Sequence, residues 1–304
     1  MDKEKIRIGI DVGGTNIEVC AVSVKATDRK EIIYTHRAYP KGSNTDELCA
    51  VLCECIYELL DKKQLGECDI ESVGIAAPGS LDITNGIIIH AYNLNLHDAQ
   101  IIAGMKKIMP SIKAELINDA DAATLGEYKF GALRGISSGC LITLGTGVGA
   151  GIIINSELYR GGMRRGTELG HMTLNLNGEK CSCGNTGCIE TLCSASALAK
   201  SGQIAYNDGS VTAKQITELV KCGDEKAMDI FDKYINALSA AIASYMALLD
   251  PERVVIGGGV SLAGSTLFEP LRRKTAEKSF FSPICDILPA ELGDKAGVIG
   301  AAFA

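Results

Sequence analysis

IGIDVGGTNIEVCAV, residues 8–22, decides how the rest of the chain is read. Ile6 to Val12 is an apolar, β-branched strand, Gly13-Gly14 is the turn, and Thr15 to Val24 is a second strand, so the segment reads as a hairpin. The pattern returns in LITLGTGVGAGIII, residues 141–154, where Gly139 to Leu144 and Gly151 to Asn155 read as strands around a Gly- and Thr-containing turn. Two such segments in one chain suggest two related lobes.

Working outward, Glu31 to Tyr39 reads as a third strand. Leu48, Val51, Leu52, Cys55, Ile56, Leu59 and Leu60 recur at helical spacing, which predicts an amphipathic helix over Asp46 to Lys62. Ser72 to Ala77 is a strand that stops at Pro78-Gly79. A helix over Asp98 to Met109, a strand at Ala114 to Ile117 and a helix from Ala120 to Lys129 follow. The last third is mostly helical (Val211 to Cys222, Asp224 to Leu249, Phe268 to Lys278), interrupted by a strand at Arg253 to Ile256 before Gly257-Gly258-Gly259. No low-complexity linker separates these elements.

The chain has 304 residues, 46% of them apolar, enough for about two domains. Its net charge of −7 argues against generic affinity for nucleic acid or anionic membranes. No apolar run reaches the roughly 18 residues that span a bilayer. The N-terminus is charged and has no signal-peptide pattern, so a cytoplasmic protein is expected. In that compartment the 12 cysteines are reduced thiols, metal ligands or small core residues, not a disulfide framework.

Three glycine-bearing turns each follow a strand: DVGGTN, LGTGVGAG and IGGGV. Glycine lets backbone N–H groups approach phosphate oxygens, although each turn alone reads as an ordinary hairpin more often than a ligand site. The second contains G-x-G-x-x-A, but a strand follows it where a dinucleotide fingerprint requires a helix. No G-x-x-x-x-G-K-[ST] is present. Taken together, the turns suggest a nucleotide site: Asp11 for Mg2+, Gly13, Gly14 and Thr15 for phosphates, Gly145, Thr146 and Gly147 in the second turn, and Gly258 and Gly259 near an adenine ring.

DVGGTN (11–16), APG (77–79), NDADAATLGE (118–127), LGTGVGAG (144–151), ELGH (168–171) and CSCGNTGCIE (181–190), in this order, resemble the ROK family of sugar kinases and related repressors. The resemblance runs over nearly the whole chain. It implies an α/β, actin-like, hexokinase-like fold with ATP and sugar in a cleft between two lobes. The implied division is a small lobe of 1–118 plus 296–304, with the final helix returning to it, and a larger lobe of 119–295. A homodimer is implied by resemblance only. The repressors carry a helix-turn-helix domain ahead of the DVGGT strand; ten residues precede Asp11 here, so no such domain is expected.

His171, Cys181, Cys183 and Cys188 make a full tetrahedral set for a structural Zn2+, as the family places it; the alternative is reduced thiols in a loop. Glu168, His171 and Glu190 stand at positions where the family contacts sugar hydroxyls, although solvated surface carboxylates are the plainer reading of the two glutamates. His171 can serve zinc with one ring nitrogen and sugar with the other. By resemblance, Asp119 is the base that takes the proton from the sugar's 6-hydroxyl, and Asn118 holds a neighbouring hydroxyl; an Asn-Asp pair at a strand-to-helix junction is otherwise a helix cap. Asp121, where the family usually has Asn, raises the question of a second carboxylate perturbing Asp119. Gly79 is expected to let backbone close over the sugar. Asn93 lies in YNLNLH, where the family usually reads Pro-Asn-Leu with a Trp further on; Tyr92 replaces that Pro and the chain has no Trp. The expected activity is that of an ATP:hexose 6-phosphotransferase with Mg2+, glucose first, with allose, fructose, mannose and N-acetylmannosamine open. A non-catalytic sugar sensor is the alternative.

Overall fold

The runs rich in Ile and Val form strands, and their order in space is set by which apolar faces can be covered on both sides. The structure, a computed structural model, describes residues 5–40, 44–164 and 166–304. The chain divides into two compact units, residues 1–134, 158–167 and 294–304 in the first and 135–157 and 168–293 in the second. The first unit therefore includes the helix after Asn118, beyond the boundary expected from the sequence.

In the first unit, strands β1 (Ile6–Val12), β2 (Asn16–Ser23) and β3 (Ile33–Ala38) precede helix α1 (Thr45–Lys63) and strand β4 (Ile70–Ala77). Strands β5 (Ser80–Asp82), β6 (Ile87–Ala91) and β7 (Leu96–Ala99), helix α2 (Ile101–Ile108), strand β8 (Ala114–Asn118) and helix α3 (Asp119–Phe130) follow. The main sheet has the order β3-β2-β1-β4-β8, and β5-β6-β7 form a small separate sheet. β1 runs antiparallel to β2 and parallel to β4, and β4 is parallel to β8. Helix α1 begins at a capping box. The Asn44 side chain accepts from the Glu47 amide at 2.9 Å, and the Glu47 carboxylate accepts from the Asn44 amide at 3.2 Å. Its Leu48, Leu52, Ile56 and Leu59 are buried with Ile8 and Ile10 of β1 in one apolar core.

The second unit holds β9 (Gly139–Leu144), β10 (Val148–Ile154), the two-residue strand β11 (Glu157–Leu158) at which the chain leaves it, α4 (Glu190–Cys193), α5 (Ala195–Tyr206), α6 (Ala213–Lys221), α7 (Glu225–Leu249), β12 (Arg253–Gly257), α8 (Ser265–Lys278) and β13 (Asp286–Pro289). Its sheet order is β11-β10-β9-β12-β13, with β9 antiparallel to β10 and parallel to β12. This repeats the order of the first unit, and the two matching sequence segments occupy equivalent places, β1–β2 and β9–β10. Helix α7 fills the core with Phe231, Leu238, Ile242 and Tyr245. Two of its tyrosines reach functional segments: Tyr234 donates to the Cys193 carbonyl at 2.6 Å and Tyr245 to the Leu169 carbonyl at 3.0 Å.

The last helix, α9 (Ala296–Ala301), belongs to the first unit and packs on α3, β1 and β4. It approaches so closely that a Cβ at Gly9 would lie 2.0 Å from the Val298 carbonyl oxygen, and one at Gly300 would lie 1.6 Å from that of Ala122.

Several elements differ from the sequence reading. Residues 96–99 are a strand, so the helix expected from Asp98 starts at Ile101. Asp98 has φ 47, a left-handed conformation that no helix interior accepts. Strands β5 and β6, helix α5 and strand β13 lie outside the elements read from the sequence. β5 and β13 are three and four residues long, too short for a periodic signal.

Candidate active site and metal centre

In the first unit the β1–β2 turn is closed by the Gly13 amide donating to the Asn16 carbonyl at 2.9 Å, and the Tyr39 amide donates to the Thr15 carbonyl at 2.8 Å. Gly14 faces the loop after β6: a Cβ there would lie 3.3 Å from the Asn93 carbonyl oxygen, so the turn and Asn93 are packed together. Gly79 has φ +94, and a Cβ on it would lie 2.2 Å from the His90 carbonyl oxygen, so only glycine fits this close approach.

Asp11 is the next-to-last residue of β1 and pairs across the hairpin with Glu18. Its carboxylate overlies α9, where a Cβ on Gly297 would lie 2.5 Å from Asp11 Oδ2. Burial first, then the neighbouring Asp119 and Glu18 carboxylates, push Asp11 up to about 7, with Lys295 opposing them. Lys295 Nζ sits 2.7 Å from Glu18 Oε1. Such a desolvated carboxylate among like charges fits a cation-binding role.

Asn118 caps α3: its Oδ1 accepts from the Ala120 amide at 2.9 Å and the Asp121 amide at 3.3 Å. Asp119 is the first helical residue, and its Oδ1 accepts from the Ala120 amide at 2.8 Å. Its side chain remains accessible to water, yet the surrounding protein desolvates it enough to raise its carboxyl above the usual range, against the lowering effect of the Ala120 amide. Asp121 differs from it by being buried, with its carboxylate against Gly166, where a Cβ would lie 3.1 Å from Asp121 Oδ2.

The second unit carries the other candidates. The turn Gly145–Thr146–Gly147 joins β9 to β10 and is closed by the Gly145 amide donating to the Gly147 carbonyl at 3.0 Å. The third glycine turn meets the second: a Cβ on Gly258 would lie 2.5 Å from the Leu144 carbonyl oxygen, and Gly259 begins a short 3-10 segment.

His171, Cys181, Cys183 and Cys188 converge, with one donor atom from each lying within 4.8 Å of the others. Cys183 Sγ and Cys188 Sγ are 3.6 Å apart, and Cys181 Sγ is 3.6 Å from His171 Nδ1. Zinc–sulfur bonds of about 2.3 Å in a tetrahedron place sulfurs about 3.8 Å apart, whereas a disulfide needs about 2.05 Å. The set therefore fits Zn2+, and all 12 cysteines are free thiols. With Nδ1 turned to the thiols, His171 Nε2 lies 3.9 Å from Glu168 Oε2. Glu190 follows the metal loop as the first residue of α4. Its Oε2 accepts from the Val148 amide at 3.0 Å and its Oε1 lies 3.8 Å from Cys181 Sγ.

The sequence-chosen residues thus gather as two sets. One holds Asp11, Gly13, Gly14, Thr15, Asn93, Asn118 and Asp119. The other holds Gly145, Thr146, Gly147, Gly258, Gly259, Glu168, His171, Glu190 and the cysteines. Sequence reasoning missed Glu18, Lys295 and Gly297 around Asp11. Of these, Glu18 becomes visible only when the turn is taken as Gly13–Asn16, which pairs Val12 with Ile17 and Asp11 with Glu18; the two-residue Gly13-Gly14 turn expected from the sequence would set Asp11 opposite Asn16.

The sequence profile described as the ROK family matches residues 7–304. A glucokinase of Thermotoga maritima is 35% identical over 99% of this chain and 97% of its own length. The crystal structure of a ROK family glucokinase from Streptomyces griseus in complex with glucose and AMPPNP is 30% identical with a TM-score of 0.79, covering 98% of both chains. That of a ROK hexokinase from Thermus thermophilus is 29% identical with a TM-score of 0.85, covering 98% of this chain and 96% of the other. With an α/β architecture that follows the actin-like, hexokinase-like fold of these kinases, and with the whole described domain matched, this chain belongs to the ROK family.

Proposed function

We propose that the chain is an ATP-dependent hexose kinase that phosphorylates the 6-hydroxyl of glucose, with Asp119 as general base. The observation that carries this reading is Asp119 itself: a carboxylate at a helix start, reachable by solvent, desolvated and close enough to Asp11 to raise its pKa. Phosphoryl transfer to an alcohol needs such a base at the hydroxyl and charge neutralisation at the phosphates. The glucokinase at 35% identity supports the choice of sugar.

Asn118 orients Asp119 by capping α3 and presents its amide beside it. Glu168 and Glu190 supply carboxylate acceptors for sugar hydroxyls, and His171, with Nδ1 on the metal side, presents Nε2–H as a donor. The amides of Gly14, Thr15, Thr146 and Gly147 serve phosphate oxygens, those of Gly13 and Gly145 being used to close the turns, and backbone at Gly258 and Gly259 lies against the base. Mg2+ supplies charge neutralisation at the phosphates, and Asp11 is the residue that would hold it. His171, Cys181, Cys183 and Cys188 would hold Zn2+ as a closed structural site. No helix among the described residues is long and apolar enough to cross a membrane.

The test is ADP release with Mg-ATP against glucose, mannose, fructose, allose, N-acetylglucosamine and N-acetylmannosamine, repeated with Asp119→Asn. Turnover greatest with glucose, and a loss of about 100-fold or more in kcat in Asp119→Asn with glucose binding retained, is the expected result. Turnover greatest with another hexose reassigns the substrate. Silence with every sugar in folded, zinc-loaded protein favours a sugar sensor. An Asp119→Asn variant keeping more than about a tenth of the rate removes Asp119 as base.

A further inference from the structure

We propose that Glu190 is a positioning residue for the nucleotide turn, and that it thereby couples sugar binding to nucleotide binding through one carboxylate. The inference rests on the kinase reading of the two turns and goes beyond it.

The turn Gly145–Gly147 is held from one short segment, residues 190–195. At the β10 end, the Val148 amide donates to Glu190 Oε2 at 3.0 Å. At the β9 end, the Ala195 amide donates to the Gly145 carbonyl at 2.8 Å. The carboxylate lies against the turn's backbone: a Cβ built on Gly147 would come 2.3 Å from Glu190 Oε2. The holding segment is itself fixed. Cys188, two residues before Glu190, is in the metal cluster, Glu190 Oε1 lies 3.8 Å from Cys181 Sγ, and the Cys193 carbonyl accepts from buried Tyr234 at 2.6 Å. Glu190 therefore has one oxygen turned to a phosphate-binding turn and one to the metal loop.

A sugar hydroxyl donating to this carboxylate changes its charge density and orientation, and both are felt at the Val148 amide. A hydrogen bond to an ionised group is stronger than a neutral one, so the link carries a measurable share of binding free energy. Binding linkage is reciprocal: if sugar tightens the turn, nucleotide tightens the sugar site by the same factor.

The experiment is calorimetric titration of each ligand alone, glucose without nucleotide and Mg-AMPPNP without sugar, on wild type, Glu190→Ala, Glu190→Gln and Gly147→Ala. Thermal melts and zinc content serve as folding controls. Glu190→Ala is expected to weaken Mg-AMPPNP about tenfold with no sugar present, the size expected for one charge-assisted hydrogen bond. Glu190→Gln, which keeps an acceptor for the Val148 amide, restores most of that affinity while glucose stays weak. Gly147→Ala, which displaces the carboxylate from the turn, weakens glucose about tenfold with no nucleotide present. Unchanged Mg-AMPPNP affinity in folded Glu190→Ala overturns the inference, and that arm decides alone if Gly147→Ala does not fold. Wild type that binds neither glucose nor Mg-AMPPNP overturns the kinase reading and this inference together. Wild type that binds both leaves the kinase reading standing whatever Glu190 does.

Discussion

Asp11 shows how one residue's surroundings set its chemistry. With its carboxyl at about 7 in the metal-free protein, it is largely protonated at pH 6 and largely ionised at pH 8. A cation needs the ionised form, so Mn2+ affinity in the presence of AMPPNP is expected to rise over that interval, as followed by paramagnetic resonance. The same shift acts on stability. The folded value of about 7 lies above the unfolded 3.8, so the folded state holds the proton more tightly between them. Stability from this group is complete below the unfolded value and is lost as pH rises through 7. Asp11→Asn, which has no charge to desolvate, is expected to melt higher than wild type at pH 8 without metal and to match it near pH 4. Equal melting temperatures at pH 8 would refute the desolvation. Asn118 and Asp119 were legible in the sequence both as a cap and as a site, and the cap is present: the hydrogen bonds that start α3 also orient the candidate base.

At the scale of the element, helix α9 is built of small side chains and packs closely on its neighbours. Ala296, Gly297, Gly300 and Ala301 leave room for backbone from α3, β1 and β4 to come within van der Waals contact. Since β1 carries Asp11 and α3 carries Asp119, this helix fixes how those two carboxylates meet. Gly300→Ala would set a methyl 1.6 Å from the Ala122 carbonyl oxygen, and a loss of about 3 kcal/mol is expected in urea unfolding, with a rise in KM or a fall in kcat. Gly209→Ala is the control, with no atom within 4 Å of its added Cβ and an expected change below about 0.5 kcal/mol. A loss no larger than that control's would show that α9 shifts freely. Helix α1 was legible to within a residue at each end because its apolar spacing and its cap agree. The helix expected from Asp98 was not, because a left-handed residue and a short strand interrupt the pattern there.

At the scale of the whole molecule, the same five-stranded order is built twice, once around β1 and once around β9. The second unit adds the cluster of His171, Cys181, Cys183 and Cys188, a candidate metal site that ends two residues before α4. About one zinc per chain is expected by elemental analysis. Its removal by a chelator, or Cys183→Ser, should lower the melting temperature and weaken glucose binding together, because a closed structural site contributes folding free energy directly. A metal-free protein with unchanged melting temperature and glucose affinity would show that the loop holds without it. The sequence by itself determined the two hairpins, the order of motifs and the grouping of His171 with Cys181, Cys183 and Cys188, because each is carried by residues near one another in the chain. Only the tertiary structure decided that Glu190 meets the Val148 amide 42 residues away, that Lys295 meets Glu18, and that Gly9 lies under Val298. Those contacts depend on which backbone surfaces come together when apolar faces are buried, and no local spacing of residue types encodes that meeting.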